Sequence, residues 1–172
     1  MEVIVLFGGA VVIGFILIAL IRKPPAYLPM RGAGHPDIDG AAAARLGDLS
    51  IGDFEGMLRR LVSDYIGLSI EVVDRTAEAE VEIRARDAKP MVGGLYIVHG
   101  VLRRLDDYVG PEQVMALKDI VKEEGAIKGM LVTNGVFAAP AAQMLDAEKL
   151  ELINGPTLLS LLDSAGPRPR PA

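Results

Sequence analysis

The sequence predicts an α/β domain, in which helices cover both faces of a mixed five-stranded sheet, preceded by one transmembrane helix. Three observations lead to this fold class. An uninterrupted apolar stretch lies near the N terminus, and helical and extended patterns alternate after residue 50. The chain has 172 residues, of which 51% are apolar, which is enough for one buried core beyond the membrane segment.

The predicted membrane segment begins at Val3 and ends at Ile21, and no residue within it is charged. At about 1.5 Å per residue, a helix of this length nearly spans the hydrocarbon layer of roughly 30 Å. Its β-branched content is high, but in lipid only a helix satisfies its own backbone hydrogen bonds. These residues therefore predict a single membrane-spanning helix.

The residues that flank this segment distinguish an anchor from a cleaved signal peptide, which is the alternative. A signal peptide has basic residues before its apolar run and a small-residue cleavage site after it. Here Glu2 precedes the run, and Arg22 and Lys23 follow it. We predict a retained anchor over residues 1–23 in the plasma or inner membrane. The positive flank predicts that the remaining domain lies in the cytoplasm.

The next segment, residues 24–50, is rich in Pro, Gly and Ala. This composition predicts a linker, with a short helical turn over residues 41–46. Residues 164–172 read as a disordered tail. The folded domain is therefore predicted over residues 51–163.

The domain alternates between a helical period and an extended period. Its first helix, over residues 51–66, presents an apolar face formed by Phe54, Met57, Leu58, Leu61, Val62 and Tyr65. The later helices are predicted over residues 111–124, 138–147 and 155–162. The strands are predicted over residues 68–73, 80–85, 95–102, 128–133 and 150–153. Pro111 is typical of a helix start, and Gly67 and Gly125 are typical of helix ends.

Several local motifs in this order resemble the Mrr-like branch of the restriction-endonuclease-like superfamily. Phe54-Glu55 matches a Phe-Glu pair in the opening helix of that family. The segment KGMLVTNGVFAAPAAQMLDA is similar to a family strand, its VT-x-x-x-F turn and the following helix. ELINGPTLLSLL is similar to the final strand, turn and closing helix. The resemblance implies a restriction-endonuclease-like fold over residues 51–163.

The resemblance also implies where a nuclease centre would lie. The family has an acidic residue at a strand end and a Gln-x-Lys motif on the next strand, and its carboxylates hold Mg²⁺, which activates water. Here Glu82 matches the acidic position, His99 the Gln position and Val101 the Lys position. Arg103 follows two residues later, but its pKa is too high for a general base. The chain therefore departs from the family at the group that hydrolysis requires.

The acidic strand and His99 each have two interpretations. Glu80 and Glu82 share one side of their strand, so they are candidate metal ligands, or else they belong to a solvated edge strand. His99 is either a buried, hydrogen-bonded structural residue or a general base or metal ligand beside Glu82. Glu55 either braces the first helix or, by the resemblance, joins Glu82 and His99 in a catalytic site.

The charge balance bears on the partner. The net charge is −5, and such a surface repels phosphate backbones unless a basic groove overrides it. The basic doublets of the domain, Arg59-Arg60 and Arg103-Arg104, are the candidate phosphate contacts.

Three functions follow. The first is a membrane-anchored, inactive nuclease-fold domain that binds a protein or serves as an accessory subunit, with no cofactor. The second is a tethered Mg²⁺-dependent DNA endonuclease. The third is a non-catalytic nucleic-acid binder at the membrane.

Overall fold

The computed structural model describes residues 38, 40–89, 93–145 and 149–166. The predicted anchor over residues 1–23 lies outside these residues, as does most of the predicted linker. None of the helices in the described ranges is long and apolar enough to cross a bilayer.

Five α-helices and seven strands make up the described part of the chain. The helices are α1 (Gly40–Leu46), α2 (Ile51–Arg60), α3 (Pro111–Glu123), α4 (Ala139–Gln143) and α5 (Gly155–Ala165), and a π-helical segment (Leu61–Ile66) continues α2. The strands are β1 (Ser69–Ala77), β2 (Glu80–Arg86), β3 (Leu95–Val101), β4 (Tyr108–Val109), β5 (Lys128–Thr133), β6 (Val136–Phe137) and β7 (Leu150–Ile153).

The main sheet has five strands in the order β1-β2-β3-β5-β7. The pairs β1–β2 and β2–β3 are antiparallel, whereas the pairs β3–β5 and β5–β7 are parallel. The predicted mixed five-stranded sheet is therefore confirmed. The short strands β4 and β6 form a separate parallel pair that the sequence did not predict.

Helix α2, the first helix of the predicted domain, begins at a capping box. Ser50 accepts a hydrogen bond from the backbone of Asp53, whose side chain binds the Ser50 backbone in return. The helix ends at Gly67, which has a φ of 83°. Tyr65 was predicted on the buried face but is 43% exposed. That prediction is wrong because the π-helical segment has more residues per turn, so the 3.6-residue period, which still places Leu61 and Val62 correctly, no longer holds at Tyr65.

Helices pack on both faces of the sheet, as predicted. One face, here called the α2 face, is covered by α2, the π-helical segment and α5. Its sheet residues are Val81, Ile83, Ala85, Val98, Met130, Val132 and Ile153. The opposite face, called the α3 face, is covered by α3 and α4. Its sheet residues are Ile97, Val101, Leu131 and Leu150.

Ordered packing begins before the predicted domain boundary at residue 51. Leu46, at the end of α1, is fully buried, and the Arg45 guanidinium binds the Asp163 carboxylate of α5 at 3.0 Å. At the other end of the domain, α5 continues to Ala165, two residues into the predicted tail.

Candidate functional site

The candidate site lies on the α3 face, where β2 and β3 run side by side. Glu82 is paired with His99 in the antiparallel register, and Glu80 is paired with Val101. Directly opposed residues project to the same side of a sheet, so all four side chains share this face. The structure therefore brings the predicted acidic residues, His99 and Val101 together on this face.

Glu82 is buried, with an exposure of 5%. It does not lie on an edge strand, because β2 lies between β1 and β3. The solvated edge interpretation is therefore wrong for this residue. The Glu82 carboxylate is instead bound by Arg84 of the same strand, with an Nη2–Oε1 distance of 2.8 Å.

Arg84 binds further carboxylates around Glu82. Its Nη2 lies 2.6 Å from Oε1 of Glu124 at the end of α3, and its Nε donates to Oε2 of the same side chain at 3.0 Å. Its Nη1 lies 3.6 Å from Asp74 of β1. The bidentate pair lowers the pKa of Glu124 below its usual range, chiefly through the hydrogen bonds from Arg84. The pKa of Arg84 is raised, foremost by the same bonds.

Glu80 is the centre of a second group. His99 Nε2 lies 3.6 Å from Oε2 of Glu80, and Arg103 Nη2 lies 3.6 Å from Oε1. His99 Nδ1 is buried and has no hydrogen-bond partner among the described residues. Two of the basic groups that the structure places beside Glu80 and Glu82 are thus arginines, which remain protonated and cannot accept a proton from water; the third is the His99 imidazole.

Glu55 is not part of this constellation. Helix α2 packs on the α2 face, opposite the Glu82 side chain, with Phe54 and Leu58 in the core. The Glu55 carboxylate accepts hydrogen bonds from Arg59 at 2.9 Å and from Arg75 at 3.1 Å. These partners lower the pKa of Glu55, and the Arg59 hydrogen bond is the largest cause. Of its two interpretations, the geometry favours the brace between α2 and β1.

The basic doublets do not converge on one surface. Arg59 lies on α2, whereas Arg103 binds Glu80 on the other face of the sheet. Arg104 is exposed and pairs with Asp106 at 3.2 Å. Asp163 lies close enough to Arg60 for the arginine to help lower the pKa of the carboxyl, although Arg45 is the main cause. A continuous basic groove is therefore not formed by these four residues.

The residues present do not fit a magnesium site. Mg²⁺ requires carboxylate or water oxygens in octahedral geometry. Nitrogens of Arg84 bind Oε1 of Glu82 and both carboxylate oxygens of the neighbouring Glu124. Within the described ranges, no three His, Asp or Glu side chains are placed so that they could hold a metal ion together.

Asn134 is a residue that the sequence analysis did not single out. It is 1% exposed, and its side chain bonds the backbone of two distant segments, at Leu46 and at Arg103. The signal that points to it is the Thr-Asn-Gly turn that ends the apolar strand β5. A polar side chain at the end of a buried strand must find partners in the fold.

The chain is similar to several known proteins. A family model described as restriction endonuclease, for the Mrr catalytic domain, matches residues 46–162. The DNA modification-dependent restriction endonuclease AspBHI matches the structure with a TM-score of 0.55 at 16% identity, over 76% of this chain and 37% of AspBHI. The MspJI restriction endonuclease, solved in complex with a 27-mer oligonucleotide, matches with a TM-score of 0.46 at 20% identity, over 74% of this chain and 32% of MspJI. No curated protein sequence matches the chain. The chain thus spans little more than a third of AspBHI, and the similarity is one of fold.

Proposed function

The chain belongs to the Mrr-type restriction endonuclease family, and from this premise we propose that it is a member without nuclease activity. In this proposal the domain binds a protein partner, as an accessory subunit of a membrane-associated assembly. The predicted anchor at residues 1–23 holds it at the plasma or inner membrane, with the domain on the cytoplasmic side. The site and not the fold determines the function, because a fold can persist after its chemistry is lost.

One observation carries the proposal: arginines bind the carboxylates of the candidate site. It is supported by the resemblance, which matches Val101 to the lysine of the family. Val101 is fully buried and packs in the apolar cluster of the α3 face. An aliphatic side chain can neither orient nor deprotonate an attacking water. The Arg84–Glu82 pair opposes Mg²⁺ binding, since the metal would have to displace a charged partner at 2.8 Å.

The charge distribution supports a protein partner over a nucleic acid. The chain carries a net charge of −5, and the two arginine doublets are divided between different surfaces and are largely paired with carboxylates. Affinity for a phosphate backbone comes mainly from converging cations, whose release of counterions drives binding.

An active nuclease is the second candidate, because Glu82 and His99 remain direct neighbours across the β2–β3 ladder. A plasmid assay decides between the two. The purified full-length chain is incubated with supercoiled plasmid and either Mg²⁺ or Mn²⁺, beside Glu82→Gln as a matched control. We expect no nicking above the level of the control. Metal-dependent nicking that the control lacks would instead establish the enzyme.

The accessory role has its own test. The tagged full-length chain is extracted from membranes in a gentle detergent, and the co-purifying proteins are identified by mass spectrometry. We expect a defined membrane complex that survives nuclease treatment. Loss of all partners on nuclease treatment would argue for the nucleic-acid binder.

A further inference from the structure

The Asn134 side chain connects two parts of the fold that are far apart in sequence. Its Nδ2 donates to the carbonyl oxygen of Leu46 at 3.1 Å and to that of Arg103 at 2.7 Å. Its Oδ1 accepts from the backbone N–H of Arg103 at 2.8 Å. Both amide hydrogens are therefore in use, and the backbone of Arg103 is fixed on both its donor and its acceptor.

The same contacts continue into the candidate site. The Arg103 guanidinium lies 3.6 Å from one oxygen of Glu80, and His99 Nε2 lies 3.6 Å from the other. Polar contacts thus lead from the last residue of α1 through Asn134 to the Arg103 backbone, and from the guanidinium of the same arginine to Glu80 and His99. Neither Glu82 nor Arg84 is a member of this series, because they bind each other and Glu124.

Two contacts between α1 and α5 accompany the hydrogen bond from Asn134 to Leu46. Leu46 is fully buried against Gly155, where an added Cβ would approach its Cδ1 to 2.8 Å. The Arg45–Asp163 ion pair is exposed, with both side chains more than half accessible. Local loss of these contacts would free α1 while the sheet remains folded.

We infer that Asn134 couples the docking of α1 to the arrangement of Arg103, Glu80 and His99. When α1 detaches, the Asn134 Nδ2–H group that donates to Leu46 loses its acceptor. Water then enters beside the hydrogen bonds that fix the Arg103 backbone. The coupling is reciprocal, since any energetic link between two sites acts equally in both directions. Asn134 is a positioning residue in this scheme. Because α1 lies within the C-terminal part of the predicted linker, after the predicted anchor, a partner that displaces it would be sensed at Glu80 and His99, whether or not the domain cleaves DNA.

Reciprocity gives the first test, by hydrogen exchange on the full-length chain in detergent. Glu80→Gln removes the charge that holds Arg103, and we expect exchange at α1 and at Gly47, whose N–H binds Ala43 O at 2.9 Å, to accelerate by about fivefold. Glu82→Gln is the matched control, because it alters an adjacent and more deeply buried carboxylate outside the series. Equal exchange at α1 in the two variants would overturn the inference.

The second test runs in the opposite direction. Leu46→Ala loosens α1, and we expect the imidazole nitrogen signals of His99 to shift in NMR spectra, although Leu46 and His99 are in different elements. Leu162→Ala removes a comparably buried leucine of α5 and should leave those signals in place. Unshifted His99 signals in Leu46→Ala, or identical shifts in both variants, would contradict the coupling and indicate only general destabilisation.

Discussion

Glu80 lies directly opposite Val101 in the antiparallel ladder between β2 and β3. A carboxylate and an aliphatic side chain therefore face each other, so Glu80 has no ion-pair partner at its own register position on β3. Glu80 is stabilised instead by Arg103, which comes from the loop beyond the strand. The local charge balance is thus restored by a residue that cannot take part in proton transfer.

A lysine introduced at position 101 should destabilise the folded domain without creating a nuclease. We expect Val101→Lys to lower the free energy of unfolding by about 3 kcal/mol, because the ammonium group enters a buried apolar cluster. The carboxylate opposite it, that of Glu80, is already paired with Arg103. Urea unfolding measures the change. Val72→Lys, at an exposed position of β1, is the control and should have little effect. Wild-type stability together with metal-dependent cleavage would contradict this prediction.

Stability should fall at acidic pH through the Arg84–Glu124 pair. Arg84 lowers the pKa of Glu124 in the folded state, so the unfolded state binds more protons as the pH falls. The contribution is complete above the unfolded pKa of about 4.3 and is lost as the pH falls through the folded value. Solvent screens the pair in part, because both side chains are about 30% exposed.

Urea titrations at about pH 6 and about pH 3 test this dependence. Glu124→Gln should reduce the difference in stability between the two conditions, because the amide cannot titrate. Its exposed neighbour Glu123 provides the control variant Glu123→Gln, which should retain the wild-type difference. An unchanged pH dependence in Glu124→Gln would show that the pair adds nothing to folding.

A methyl group at Gly155 should be poorly tolerated. A Cβ there would collide with the backbone oxygen of Asn134, and the Gly155 N–H is fixed by a hydrogen bond to Gly135 at 2.9 Å. We expect Gly155→Ala to cost about 2 kcal/mol in thermal unfolding. Gly56→Ala is the matched control, because nothing lies within 4 Å of its added Cβ. It should stabilise α2 by about 0.5–1 kcal/mol, and equal effects at the two glycines would refute the close approach.

The first described helix should contribute to stability. We expect Leu46→Ala to lower the free energy of unfolding by about 3 kcal/mol, because it empties a fully buried position. Leu145→Ala removes an exposed leucine and should change stability by less than about 0.5 kcal/mol. If both variants melted at the wild-type temperature, the domain would begin after α1.

The N-terminal segment should retain the protein in the membrane. Alkaline carbonate extraction should leave the full-length chain in the membrane pellet. Deletion of residues 1–23 should release the protein, because the apolar segment that enters the bilayer is then missing. Protease added to the cytoplasmic side should digest the domain. Replacing Arg22 and Lys23 by Glu should reduce that accessibility. Release of the full-length chain by carbonate would argue against an integral anchor.

The sequence alone determined the elements and most of their apolar faces. Strands β5 and β7 have the predicted bounds, and Val114, Leu117 and Val121 face inward from α3 as their spacing indicates. These features are local, because the period of apolar residues follows from the geometry of a helix or a strand. The family motifs then supplied the order in which the elements associate, which is why the mixed sheet could be predicted.

Only the tertiary structure decided which polar groups meet. Alternation placed Glu80 and Glu82 on one side of a strand, but it did not reveal that Arg84 and Glu124 surround one of them and Arg103 the other. Such partners come from elements separated by many residues, so their contacts depend on register and helix placement. For the same reason Glu55 is directed to Arg75, away from Glu82, and Asn134 became recognisable only when Leu46 and Arg103 were found at its amide.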